Sequence, residues 1–186
     1  ALSLEALNGR LDPFDKRIHM VRPHKGQSAV AENILKIVDG SRILSDSSSK
    51  RVQDAYSLRC SPQVIGASKD VIVHVRKVIE VEINSATDNP LVFPDEGEIL
   101  SGGNFHGQPV AMAMDLLTIA LCNVGNICER RVARLTDEKL SGGLPAFLVR
   151  KRGEEGLSSG LMISQCTAAS LAGENRCLSN PSSVNS

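Results

Sequence analysis

An all-α fold, a bundle of long near-antiparallel helices with no sheet beyond a short hairpin, is what this sequence predicts. Three observations predict it. Apolar residues recur at helical spacing over four long stretches, and Gly, Pro and Ser clusters separate those stretches. The aromatic content is 3% with no Trp, so the core has to be built from Leu, Ile, Val, Ala and Met. At 186 residues and 41% hydrophobic content, the chain is long enough to form one helical region with a buried core.

Taken in order, residues 1–7 have strong helix propensity, lack an N-cap and stop at Asn8-Gly9, as a helix cut from a longer chain would. Residues 29–38 carry an apolar stripe at Val30, Ile34, Ile37 and Val38, closed by Asp39-Gly40. Residues 41–50 are serine-rich and aperiodic, which predicts a mobile surface loop. Pro62 suits the first turn of a helix over 64–83. The β-branched residues there favour strand, yet the length and the series Ile72, Val75, Ile79 and Ile83 favour helix. Asp88-Asn89-Pro90 breaks it, and 93–103 reads as a loop with Pro94, Gly97, Gly102 and Gly103. Residues 108–135 form one long helix, apolar almost all round between Val110 and Val124, which predicts burial on most sides. Loops at 137–145 and around Gly153 precede a last Ala-rich helix over 159–178, stopped by Asn180-Pro181. These helices are more apolar than a small domain hides alone, so their further partners are expected in other sequence or other subunits.

The charge balance of 21 basic against 21 acidic residues leaves no footprint for nucleic acid or an anionic membrane. No run reaches the roughly 18 unbroken apolar residues of a membrane span, and no secretory signal opens the chain. Cys60, Cys122, Cys128, Cys166 and Cys177 are an odd, scattered set without a Cys-x-x-Cys pair, which fits reduced thiols in a cytoplasmic protein. His19 and His24 have no Cys or carboxylate partner at ligand spacing, so no metal is expected.

The chemistry-bearing stretch is Arg51-Val52-Gln53-Asp54-Ala55-Tyr56-Ser57-Leu58-Arg59-Cys60-Ser61-Pro62-Gln63, which holds the only tyrosine. If it is helical, Gln53, Tyr56 and Arg59 fan over one side of the rod. A guanidinium beside a phenol favours the phenolate and grips a carboxylate with two parallel hydrogen bonds. On spacing alone, the commoner arrangement is a tyrosine packed on a helix surface with an arginine snorkelling beside it. Phe105, in Gly102-Gly103-Asn104-Phe105-His106-Gly107, suits equally a pocket wall and a loop residue tucked into the core.

The wording of the Tyr56 stretch resembles the signature of the histidine ammonia-lyases, within the aromatic amino-acid ammonia-lyases. Four further phrases are similar to that family in the same order: Glu82-Ile83-Asn84-Ser85-Ala86-Thr87-Asp88-Asn89-Pro90-Leu91-Val92-Phe93, Ser101 through Gly107, Leu144-Pro145-Ala146-Phe147-Leu148 and Gln165-Cys166-Thr167-Ala168-Ala169. The resemblance covers residues 1–186 but only the middle of the family's chain, so this is expected to be a central fragment of a longer lyase, part of the aromatic ammonia-lyase fold and inactive alone. It implies elimination of ammonia from L-histidine to give urocanate. The alternatives are a phenylalanine or tyrosine ammonia-lyase, an aminomutase, or a non-catalytic helical scaffold.

The resemblance also implies roles: Tyr56 as the base for the β-proton, Arg59 as the carboxylate anchor, Gln53 as a pocket hydrogen-bonder and Phe105 as a wall. His106 beside Phe105 resembles the histidine enzymes. The family's electrophile is a methylidene-imidazolone formed from Ala-Ser-Gly, a tripeptide expected upstream and absent from this sequence. Ala67-Ser68 is followed by Lys69, and neither Ser141-Gly142 nor Ser159-Gly160 aligns with it. Glu174 likewise does not match the family's pocket glutamate. Ile65 and Ser158 depart from the usual His and Asn. The family's homotetramer, with several subunits at each site, implies that Phe105 lies too far from Tyr56 within one chain to share a pocket with it.

Overall fold

The computed structural model describes residues 1–45, 52–153 and 156–185. Its frame is α3 (Lys25–Val38), α6 (Ser61–Glu82), α7 (Gln108–Thr136) and α8 (Met162–Leu178), each packed against the next in that order. Successive helices run antiparallel. Residue 26 meets 66 and 70 across α3 and α6, residue 68 meets 120 across α6 and α7, and residue 126 meets 176 across α7 and α8. The all-α expectation holds, with one hairpin, β1 (Leu91–Phe93) against β2 (Glu98–Leu100), paired Leu91 to Leu100.

Backbone contact, permitted by glycine, fixes the α3–α6 crossing. A Cβ on Gly26 would lie 2.1 Å from the Gly66 carbonyl oxygen, and one on Gly66 would lie 2.4 Å from the Gln27 nitrogen. The Gly26 N–H, one of the orphan amides of the first turn of α3, donates to Asp70 Oδ1 at 2.8 Å. On the other flank of α6, Ser68 Oγ donates to the Ala120 carbonyl at 3.0 Å. Beside these crossings Leu4, Leu7, Phe14, Ala31, Val38, Leu44 and Leu58 form the buried core, with Leu135 and Leu144 against it.

Several elements differ from the sequence reading. Residues 42–45, expected in a mobile loop, form the helical turn α4 (Arg42–Ser45) and bury Leu44, because an apolar side chain there reaches the core; 46–50 lie outside the described residues. The segment read as a loop from 93 holds the hairpin, turned at Gly97 with φ +68°. A 3-10 turn (Asp12–Phe14) and α2 (Lys16–Met20) precede α3. Asp15 caps α2 by accepting from the Arg17 N–H at 2.8 Å, and the Arg17 guanidinium beside it lowers the Asp15 carboxyl to about 2.

The stripe on α6 is buried only at Val75, while Ile72 and Ile83 are exposed. The cause is length: α6 runs well past the end of the shorter α3 and there has only α7 for cover. Nor is α7 buried on most sides within this chain. Met112, Leu116, Ile119 and Leu121 are exposed, although Ala113, Ala120 and Ile127 are covered. Among the described residues α7 is the one helix long and apolar enough to cross a membrane, with a mean hydropathy of 1.6 over its most apolar window.

Candidate active site

The stretch around Tyr56 is not one continuous helix. Ala55 is extended at φ −56° and ψ 148°, and α5 (Tyr56–Arg59) begins only after it. Gln53 therefore precedes the helix, and the expected fan of Gln53, Tyr56 and Arg59 over one side of a single rod does not form. The physical reason is a tertiary bond that local spacing cannot announce. Asp54, 4% exposed, accepts the Arg10 backbone N–H on Oδ2 at 2.6 Å and pins the chain extended just where α5 would otherwise start earlier.

Tyr56 and Arg59 are brought together. The Arg59 Cζ lies 5.9 Å from the Tyr56 ring centroid, and Arg59 Nε donates to the Asp54 carbonyl at 3.1 Å. No described residue accepts from the two terminal nitrogens of Arg59, Nη1 and Nη2. That edge of the guanidinium, two parallel donors, is the shape that meets a carboxylate. Tyr56 is 68% exposed, so its ring is presented outward.

The two residues serve adjoining depressions. Tyr56 lines one of about 580 Å³ with Asn123, Asn126, Arg130 and Arg134 of α7. Arg59 and Gln53 line another of about 310 Å³, together with Gln63. Sequence reasoning passed over Gln63, which lines that wall and whose buried Oε1 has no hydrogen-bond partner among the described residues. Its signal was available, since Gln63 stands on the turn of α6 that follows Arg59.

Phe105 is elsewhere. It is 61% exposed, in the loop just before α7, and lines neither depression. A rise of about 1.5 Å per residue puts about 22 Å of helix between Gln108, at the start of α7, and Asn123, where the Tyr56 depression begins. The loop is nonetheless built: Asn89 Oδ1 accepts from Ser101 Oγ at 3.0 Å and the Gly102 N–H at 2.7 Å, and Asn104 Nδ2 donates to the Ala86 carbonyl. His19, considered as a metal ligand, is buried with Nδ1 3.0 Å from Gln27 Nε2, and His24 is exposed ahead of α3. Among the described residues no three His, Cys, Asp or Glu side chains cluster as a metal site would require.

The site is thus a helical bundle that presents a phenol over a guanidinium on one turn of helix, the terminal nitrogens of the guanidinium meeting no acceptor among the described residues. The chain belongs to the aromatic amino acid lyase family, which matches residues 1–186. Over its whole length it is 57% identical to the histidine ammonia-lyase of Caldanaerobacter subterraneus, covering 36% of that protein, and 53% identical to that of Alkaliphilus metalliredigens, again covering 36%. Among solved structures it resembles the histidine ammonia-lyase of Trypanosoma cruzi, with a TM-score of 0.84 and 48% identity over 96% of this chain and 32% of that one. It also resembles the phenylalanine aminomutase of Pantoea agglomerans, with a TM-score of 0.89 and 36% identity over all of this chain and 39% of that one. The chain thus spans about a third of the length of these relatives.

Proposed function

We propose that the full-length protein containing this chain is a histidine ammonia-lyase, eliminating ammonia from L-histidine to give urocanate. The observation that carries the reading is the Tyr56–Arg59 pair, an outward phenol 5.9 Å from a guanidinium whose two terminal nitrogens meet no acceptor among the described residues, in a chain 57% identical to a histidine ammonia-lyase.

In this reading Arg59 takes the substrate carboxylate on Nη1 and Nη2, with Gln53 and Gln63 on the same wall. Tyr56 removes a β-proton: the C–H bond breaks, its electrons form the new double bond between the α and β carbons, and the C–N pair leaves with nitrogen. A methylidene-imidazolone, when present, would capture the amine and make it a better leaving group. No Ala-Ser-Gly occurs among the 186 residues, so in this reading such a group would come from another part of the full-length protein and the separated piece is inactive alone. The donor set fits that division, because an exposed phenol and an open guanidinium edge face a substrate and hold no cofactor of their own.

The reading includes a homotetramer, supported by the exposed apolar flank of α7 and by Phe105 standing at the far end of that helix from Tyr56, where it would serve as a wall for another subunit's site. A cytoplasmic location is supported by five free thiols. The test is to incubate the purified full-length protein with L-histidine, L-phenylalanine and L-tyrosine separately and follow the absorbance of the unsaturated acid. Urocanate from L-histidine, in preference to products of the others, is expected. Turnover of another amino acid, or formation of a β-amino acid, points to the ammonia-lyase or aminomutase alternatives, and no turnover by a tetrameric protein restores the scaffold.

A further inference from the structure

Arg59 reaches its place through a relay that starts in a different part of the chain. The Arg10 N–H, just beyond α1 (Leu2–Ala6), donates to the buried Asp54 Oδ2 at 2.6 Å. A Cβ on Gly9 would lie 3.0 Å from Leu4 Cγ and 3.3 Å from that same oxygen, so the turn after α1 packs close to the carboxylate. Asp54 in turn presents its main-chain carbonyl to Arg59 Nε at 3.1 Å. A guanidinium has two edges able to grip a carboxylate with parallel bonds, one formed by Nε with a terminal nitrogen and one by the two terminal nitrogens. With Nε committed to Asp54, only the second is left, and the Tyr56 ring stands 5.9 Å from the Arg59 Cζ.

We propose that Asp54 is a positioning residue for substrate binding: its buried carboxylate, anchored on the Arg10 N–H, orients its own carbonyl so that Arg59 meets the substrate carboxylate end-on through Nη1 and Nη2. This rests on Arg59 being the carboxylate anchor. Asp54 touches no substrate. It acts through Arg59, so its loss weakens carboxylate recognition and leaves the proton-removing step at Tyr56 largely alone. A purely structural role would lower the melting temperature without singling out the carboxylate.

The experiment uses the full-length protein and whichever aromatic amino acid the wild type turns over, and measures kcat, KM and melting temperature for Asp54→Asn, Arg59→Lys and the double variant. Asp54→Asn keeps the shape but weakens the anchor on Arg10, and should raise KM about fivefold while kcat changes less than about twofold. In the double variant KM should rise by no more than about twofold beyond Arg59→Lys alone, because the two residues act on one interaction. Wild-type KM for Asp54→Asn, or a double variant in which the two KM effects multiply, overturns the proposal while leaving the lyase reading intact. A wild type that turns over none of the amino acids removes both. If Asp54→Asn does not fold, Gly9→Ala presses on the same carboxylate, and on Leu4, from beside the Arg10 N–H, and should raise KM about twofold to threefold at unchanged kcat. A Gly9→Ala protein with a lower melting temperature and an unchanged KM overturns the proposal.

Discussion

The two ends of α7 differ in how far this chain completes its own packing. At the C-terminal end, α1, α3 and α5 close over one core, Gly26 and Gly66 bring two backbones into contact, and Glu129 is buried in a pair with Arg130. At the N-terminal end, the hairpin and the Phe105 loop leave Ile83, Val92, Ile99 and Phe105 in solvent, although asparagine side chains hold the loop in shape. The closed end holds the Tyr56–Arg59 pair, and the open end presents an apolar residue with nothing to pack on. On the proposed reading the contrast has a reason: a reacting pair needs fixed distances and so sits on a finished core, whereas a wall offered to a neighbour would need only a shaped loop with an uncovered face.

The hardest way to break this contrast is at the glycine crossing. Gly66→Val puts side-chain atoms where the Gln27 backbone lies, 2.4 Å from the ideal Cβ, and should cost about 4 kcal/mol or more or prevent folding. Gly103→Ala at the open end meets nothing within 4 Å and should stay within about 0.5 kcal/mol. Thermal unfolding of the full-length protein with each change makes the comparison, and equal losses would deny it.

The next largest effects concern the reacting pair, in the proposed reaction. Tyr56→Phe removes one hydroxyl from an outward ring, so folding should be unchanged while kcat falls by about 10² to 10⁴ and KM moves far less. Arg59→Lys replaces two parallel donors by a point charge, and should raise KM about tenfold. Steady-state elimination, followed by product absorbance with the oligomeric state checked against the wild type, reads both. Near-full turnover by a folded Tyr56→Phe protein would return Tyr56 to the role of a packed surface residue.

Much of this was legible in the sequence, and the failures have separate physical causes. The long helices α6, α7 and α8 follow from a periodicity that repeats over many turns, and the pairing of Tyr56 with Arg59 follows from three-residue spacing on whatever helix forms there. Gln53 was misplaced because the helix start is set by Asp54 bonding to Arg10, far away in sequence. A buried aspartate in a polar stretch looks the same as an exposed one until its partner is known. Three-residue strands such as β1 and β2 carry too little alternation to be read, and α2 is a single turn. The exposure of Ile72 and Ile83 was hidden for the opposite reason: their spacing is right for a helix, but periodicity does not say where the neighbouring helix ends.

Acidification sharpens the contrast more gently, because a carboxylate marks each end of α7. The hydrogen bond from Arg130, above all, lowers the Glu129 pKa, and hydrogen bonds from Ser183 lower that of Asp115. Both folded values lie below the ordinary carboxylate range near ~4, so each group contributes stability that is fully present above that range and is lost as pH falls through the folded value. The consequences should differ in place. Protonating Glu129 acts inside the closed end and should lower the global melting temperature of the full-length protein.

Asp115 accepts the Ser182 N–H on Oδ1 at 3.2 Å and the Ser183 N–H on Oδ2 at 2.8 Å, so its carboxylate ties the last 3-10 turn (Ser183–Asn185) to α7. Those two bonds are exposed and part-buried respectively, and only local opening depends on them. Asp115→Asn leaves one acceptor oxygen where two were needed, and should free one of the two serine amides at neutral pH, as protonation of the carboxylate does in acid. Amide hydrogen exchange, corrected for the intrinsic pH dependence of the chemistry, is the measurement. Protection at Ser182 and Ser183 should fall in the variant while the amides of α6 facing Gly26 and Gln27 keep theirs. If those core amides lose protection together with the serines, the two ends of α7 open as one unit, and the division between a finished end and an unfinished one fails.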